Sequence, residues 1–310
     1  MRNSGWLGAW TPVVGLFALV VSANAANAQF EIEKPEVEQG EVELEYQGDY
    51  RWGHPNRRFI IEDQGGPDEE IVADENDVAR QRHVFGMGMG LTDFFKLTVE
   101  VEFEEERFDE IDDVALLNAF GELKATELQF EGVLVLKQSK GDGLGAGAFI
   151  SLAHPFEGEE SELFYVGPIL QYSQGPWSVT ANPFFVKHFG VETEEDENSD
   201  DRWDFEYAWQ VAYATNSQVT LAVEGFGTVN RLGESGSKNE AIELFGDQDH
   251  HRAGPVIYYT FKGPQGPMKA GKDDDDDDAG GSVTMGVGVL FGLNDDTEDT
   301  SLKWSLEAEF

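Results

Sequence analysis

Apolar and polar residues alternate one by one along much of this chain. Val42, Leu44, Tyr46, Tyr50 and Trp52 are interleaved with Glu41, Glu43, Glu45, Gln47, Asp49 and Arg51. Side chains flip faces at every residue of a strand, so such a period of two predicts a strand with two unlike faces. The same pattern recurs at 85–91, 95–104, 203–213, 219–229 and 301–310. Less regular candidates lie at 114–123, 127–137, 144–152, 163–172, 177–189, 252–261 and 284–293. No stretch repeats its apolar residues at the three-and-four spacing of a helix.

The two faces are predicted to see different solvents. A row such as Trp203, Phe205, Tyr207 and Trp209 is costly in water but natural against lipid, where aromatic girdles mark the interfaces. The opposite faces carry ionisable residues at consecutive positions, and about ten tilted residues are enough to cross a bilayer. The last strand sets Leu302, Trp304, Leu306, Ala308 and Phe310 against Ser301, Lys303, Ser305, Glu307 and Glu309. It resembles the C-terminal strand of bacterial outer-membrane β-barrels, which closes the barrel and carries the terminal aromatic of the assembly signal. The expected fold class is therefore all-β, a transmembrane antiparallel up-and-down β-barrel. Thirteen candidates cannot all be strands, because single-chain bacterial barrels have even numbers. Twelve is the expectation, with 114–123 or 144–152 the surplus one and fourteen the alternative.

Residues 1–28 read as a cleaved secretory signal, with Arg2, an apolar core at Val13 to Val21 and the small-residue site Ala26-Asn27-Ala28. The predicted organisation is this signal, a periplasmic N-terminal segment at 29–40 and a barrel with acidic loops at 41–310. The localisation that follows is the cell outer membrane, with outer-membrane lipid and the barrel-assembly machinery as partners.

Composition narrows the chemistry. There is no cysteine, which excludes disulfides and thiolate sites, and the net charge of −40 repels nucleic acid. Much of the acid sits in two runs, Glu192 to Asp201 and Asp273 to Asp278, which repel themselves and are expected to be solvated loops. They lack the spaced ligands and turning glycine of a calcium loop. Asp247-Gln248-Asp249-His250-His251 offers zinc or copper ligands but reads as another solvated loop, so no metal and no cofactor is expected. Gly233-Glu234-Ser235-Gly236-Ser237 is not a nucleophile elbow, since Ser237 stands where glycine is needed; no catalytic residue is assigned, and the expectation is that this is not an enzyme.

Gly90-Leu91-Thr92-Asp93, following an apolar strand and opening an alternating one, is similar to the early hairpin of the MetA-pathway phenol-degradation family of transporter-like outer-membrane barrels. Phe291 to Thr300 and the strand ending in Phe310 are similar to that family's close, with Glu298-Asp299 in place of Pro-Asp. The resemblance implies a barrel that passes hydrophobic or small organic compounds, and it brings no catalytic motif.

Alternation also assigns an inner face. Glu41, Glu43, Glu45, Asp49, Arg51, Lys96, Glu100, Glu102, Glu104, Asp204, Glu206, Glu224, Lys303, Glu307 and Glu309 are predicted to line a pore. When the first strand pairs with the last, Glu41, Glu43 and Glu45 should approach Glu307 and Glu309, and Arg51 should approach Lys303. Like charges facing across strands are destabilising unless water, cations or bases compensate. The expected function is a channel for small solutes whose acidic mouth prefers cations. The alternatives are a structural or adhesive barrel with a plugged lumen and divalent-bridged loops, and a lipid-acting barrel enzyme.

Overall fold

The structure, a computed structural model, describes residues 30–53, 58–60, 70–72, 78–108, 123–139, 141–156, 161–189, 202–235, 249–262 and 281–310. In chain order the strands are β1 (Val42–Trp52), β2 (Arg58–Ile60), β3 (Glu70–Val72), β4 (Val78–Thr92), β5 (Phe95–Phe108), β6 (Lys124–Lys137) and β7 (Gly143–Pro155). They continue as β8 (Glu162–Gln174), β9 (Trp177–Phe189), β10 (Trp203–Ala214), β11 (Val219–Val229), β12 (His250–Lys262), β13 (Ser282–Gly292) and β14 (Thr300–Glu309). β1 and β4–β14 form a closed antiparallel barrel, in which β1 pairs with both β4 and β14. β2 and β3 make a separate small hairpin.

This is the twelve-stranded transmembrane barrel that the alternation predicts. The ring closes without 114–123, which except for Leu123 lies outside the described residues, and 144–152 is the body of β7. β4 begins well before the predicted 85. Its first residues, Val78 to His83, are polar or small on both faces, so the alternation that would mark a strand is missing there.

The outer face is apolar. Met87 and Leu136 are 58% and 70% exposed, values that a water-soluble core position would not show and that lipid accommodates. The short connections at 93–94, 175–176 and 215–218 lie at the same end as the C-terminus of β14 and the start of β1. Short turns mark the periplasmic end of such barrels. Near that end the Trp177 and Tyr213 rings pack 4.8 Å apart, and at the other end Lys187 Nζ stands 5.8 Å from the centre of the Trp203 ring. Mid-wall, Trp304 Nε1 donates to the Tyr46 hydroxyl at 3.0 Å, which in turn lies 2.9 Å from His83 Nδ1. The acidic runs Glu192–Asp201 and Asp273–Asp278 lie outside the described residues.

Candidate functional site

Residues 29–40 are expected in the periplasm ahead of the barrel, and here the structure corrects the sequence. From Phe30 onward the segment runs inside the barrel. It enters at the periplasmic rim, where Gly40 N donates to Gly90 O at 2.7 Å. Further in, Gln138 Nε2 donates to Val37 O at 2.5 Å. Asn182 grips Glu33 at both backbone groups, accepting from its N–H at 3.0 Å and donating to its carbonyl at 2.9 Å. Deepest, Lys303 Nζ donates to Phe30 O at 2.8 Å. The Phe30 ring lies between the guanidiniums of Arg51 and Arg252, at 4.8 and 4.9 Å, and against the Phe226 ring. Cation–π contacts of this kind strengthen away from water.

The wall makes room for the segment. A Cβ on Gly90 would collide with the Glu38 carbonyl, and one on Gly145 would come within 2.9 Å of Pro35. Gly90 on β4 and Gly145 and Gly147 on β7, the glycines that the segment packs against, are the sequence signal for this plug. They read otherwise as a plain strand pattern, because nothing local says what approaches them.

Fourteen of the residues assigned to the inner face turn inward on the strands, and Glu41 sits just before β1 at the rim, where burial and then repulsion from Glu309 push its carboxyl above the ordinary range. At the seam Glu43 is opposite Glu309 and Glu45 is opposite Glu307. Two bases relieve them. Lys96 Nζ reaches Glu43 at 2.7 Å and Glu45 at 3.7 Å, and Lys34 of the plug stands in the field of Glu307, Glu309 and Glu43. Two carboxylate triads result, Glu31 with Glu45 and Glu100, and Glu43 with Glu307 and Glu309, each with oxygens within 4.8 Å of one another.

Arg51 does not approach Lys303. The register pairs Asp49 with Lys303 and Arg51 with Ser301, a slip of two residues set by the stagger with which the ring closes. Lys303 instead reaches inward to Glu224 Oε2 at 2.6 Å, while Arg51 binds Asp49 at 2.6 Å and lies 3.8 Å from Glu298. The outer half of the lumen holds bases that alternation missed. Arg80 pairs with Glu104, Arg82 with Glu102 at 2.6 Å, and Arg252 with Glu298 at 2.6 Å. His188 Nε2 and Arg202 Nε stand 2.7 and 3.5 Å from Asp204. Arg80 and Arg82 precede the strand expected at 85–91, Arg202 and Glu298 lie outside strands, and Glu131 is on β6, one of the less regular candidates. Among the described residues acids therefore outnumber bases most strongly in the periplasmic half, while the outer half holds most of the arginine–carboxylate pairs.

The inner wall also has apolar sectors, with smaller clusters at Ala208, Phe226 and Leu290 and at Ala212, Ala222 and Val256 beside a larger one. Val133, Val135, Phe149, Tyr165, Ile169 and Val186, from β6 to β9, form a buried cluster on which Val37 of the plug packs. Of the possible metal loop, Asp247 and Gln248 lie outside the described residues. Asp249 Oδ1 caps Asn230 N at 2.9 Å, and His251 Nδ1 meets the Tyr207 hydroxyl at 2.9 Å on the outer face.

A lipid-facing apolar exterior around a charged interior defines an outer-membrane β-barrel fold. Comparison with solved structures agrees. The chain is similar to the COG4313 outer membrane channel from Pseudomonas putida F1, at 11% identity and a TM-score of 0.53, over 90% of this chain and 99% of that one. The NanC porin (10% identity, TM-score 0.43, 86% and 98% covered) and the transport unit of the autotransporter AIDA-I from Escherichia coli (10%, 0.43, 92% and 94%) are more distant. No protein-family model matches the sequence, and no curated protein does.

Proposed function

We propose that this protein is an outer-membrane channel for small solutes, closed at rest by its own residues 30–40 and preferring cations when open. The observation that carries the reading is the nature of what fills the lumen. From the centre to the periplasmic rim it is an extended segment outside every strand, held by a few directional bonds, while ion pairs between wall side chains cross the outer half. A segment attached in this way can leave without breaking the barrel's own ladders. Passage needs no covalent chemistry. The carboxylates of the periplasmic half support the cation preference, since acidic rings favour cations. The fold shared with an outer membrane channel and the resemblance of both chain ends to a transporter-like family support the channel, and Phe310 supports recognition by the assembly machinery.

Single-channel recording in planar bilayers tests this. Replacing Glu43, Glu45, Glu307 and Glu309 with Gln should shift the reversal potential toward non-selectivity while leaving the conductance within a few-fold. An unchanged reversal potential would place these acids outside the ion path.

A second reading is a structural barrel that never conducts. It is favoured by the burial of the central ion pairs, with Lys303 and Glu224 side chains 5% and 0% exposed. Absence of conductance after deletion of residues 30–40 would establish it.

The plug also bears on processing. The chain enters from the periplasmic rim and Phe30 lies deep among Arg51 and Arg252, so a leader held in the inner membrane would keep the segment out. Intact mass should show a mature chain beginning at Gln29. Blocking cleavage with bulky residues at Ala26 and Ala28 should leave residues 30–40 open to protease.

A further inference from the structure

One of the two carboxylate triads joins the plug to the wall. Glu31 comes from the segment, Glu45 from β1 and Glu100 from β5, and their oxygens lie within 4.8 Å of one another. Between Glu45 and Glu100, on β4, stands Gly86. A Cβ there would lie 3.0 Å from Glu100 Oε1 and 3.3 Å from Glu45 Cβ, so the glycine lets the two side chains converge. Gln47 donates to Glu31 at 2.7 Å and orients it without cancelling its charge. Three oxygens no more than 4.8 Å apart leave a point within about 2.8 Å of all three, close to the roughly 2.3–2.6 Å of calcium–oxygen bonds. Magnesium asks for about 2.0–2.1 Å and a strict octahedron, a poorer fit.

A buried hydroxyl beside the triad points the same way. Ser151 of β7 stands directly across from Glu131 of β6 on the lumen face, and Glu131 lies in the field of Glu31, Glu45 and Glu100. Ser151 is 2% exposed, and its Oγ has no hydrogen-bond partner even though a carboxylate neighbours it. Buried hydroxyls are nearly always bonded, so this one calls for an explanation. Calcium takes about six to eight oxygens, more than three carboxylates supply, and completes its shell with water. Ser151 and Glu131 are placed to hold such a water at the edge of the triad.

We propose that Glu31, Glu45 and Glu100 bind a calcium ion that fastens the deep end of residues 30–40 to β1 and β5. The site rests on the plug reading above and adds to it the ion that holds the plug. With the segment docked the ion has three carboxylates, and with the segment withdrawn it has two. Calcium therefore binds the docked state more tightly and by linkage favours it. Glu31 is next to Phe30 in the chain, so ion and ring hold the same end of the segment.

Equilibrium calcium binding to the full-length protein in micelles tests the site. The parent should hold one calcium per chain tightly, with magnesium weaker by about tenfold or more. Calcium affinity follows the number of charged ligands, so Glu31→Gln and Glu100→Gln should each weaken it by about tenfold or more. Glu31 belongs to no strand, so its variant keeps the barrel even if the Glu100 variant fails to fold. Replacing Asp273 to Asp278 with Asn should leave the tight site unchanged. Calcium binding that survives Glu31→Gln, or that vanishes with the aspartate run, overturns the site. In planar bilayers, chelating calcium from about ten times its dissociation constant should raise the parent's open probability about tenfold and leave that of Glu31→Gln unchanged. A parent that opens equally often with and without calcium overturns the fastening. A barrel that never opens, yet binds calcium through Glu31, takes down the channel reading and leaves the calcium site standing.

Discussion

Replacing Phe30 with Ala should open the channel. Its ring is 5% exposed, wedged between Arg51 and Arg252 and against Phe226, and it is the largest apolar anchor of the plug. Burying a phenylalanine side chain is worth about 1.5–3 kcal/mol. Losing it should raise the ratio of withdrawn to docked plug about ten- to a hundredfold, at 1.4 kcal/mol per decade. Single-channel recordings should show open probability rising by that factor with the conductance of each open event unchanged. The barrel should lose little stability, because Phe30 belongs to no strand. A substitution that leaves open probability alone would mean that Phe30 is packing and not a latch. One that unfolds the barrel would mean that the plug is part of the core.

The second large effect is expected at Lys303. Its ammonium is shared between Glu224 and the Phe30 carbonyl in the centre of the lumen, and Glu224 also accepts from Gln210 at 2.7 Å and from Tyr258. Removing one partner of a buried ion pair strands the other charge, at a cost of about 3–5 kcal/mol. Lys303→Met should therefore lower the urea midpoint of the micelle-bound barrel substantially, and the added change Glu224→Gln should recover most of the loss. A loss below about 1 kcal/mol is the mark of a solvent-screened pair. That outcome would describe a lumen already wet at its centre and would argue against a tight plug. Lys303→Met also frees the Phe30 carbonyl, so the variant that refolds in vesicles should open more often than the parent.

The compensation pattern explains why the seam tolerates facing carboxylates. Glu43 and Glu45 of β1 meet Glu309 and Glu307 of β14 at directly opposed positions, and neither strand supplies a base there. Relief comes from β5, through Lys96, and from the plug, through Lys34. The plug is thus a counter-charge as well as a cover. When it leaves, the periplasmic half becomes more acidic, which is the state in which cation preference is expected to be read.

Much of the architecture was legible residue by residue. Whether a side chain in a strand points one way or the other depends only on its parity, and lipid or interior selects the residue type at each parity. So Leu302, Trp304 and Leu306 against Lys303, Ser305 and Glu307 determined a strand with two unlike faces, and the recurrence of such rows along the chain made it a membrane strand. The first residues of β4 escaped because Gln81 and His83 are polar residues on the outward face, bonded to one another and to the Tyr46 hydroxyl, so parity there does not separate oil from water. What the sequence could not determine is everything that depends on closing the ring. Which acid meets which base is set by stagger summed around twelve strands, so Lys303 finds Glu224 across the lumen and not Arg51 beside it. The destination of residues 30–40 was hidden for the same reason. Phe-Glu-Ile-Glu-Lys-Pro-Glu-Val-Glu-Gln-Gly has the composition of a solvated linker, and only a closed wall with glycines at 90 and 145, an asparagine at 182 and two guanidiniums around Phe30 gives it a place to bind.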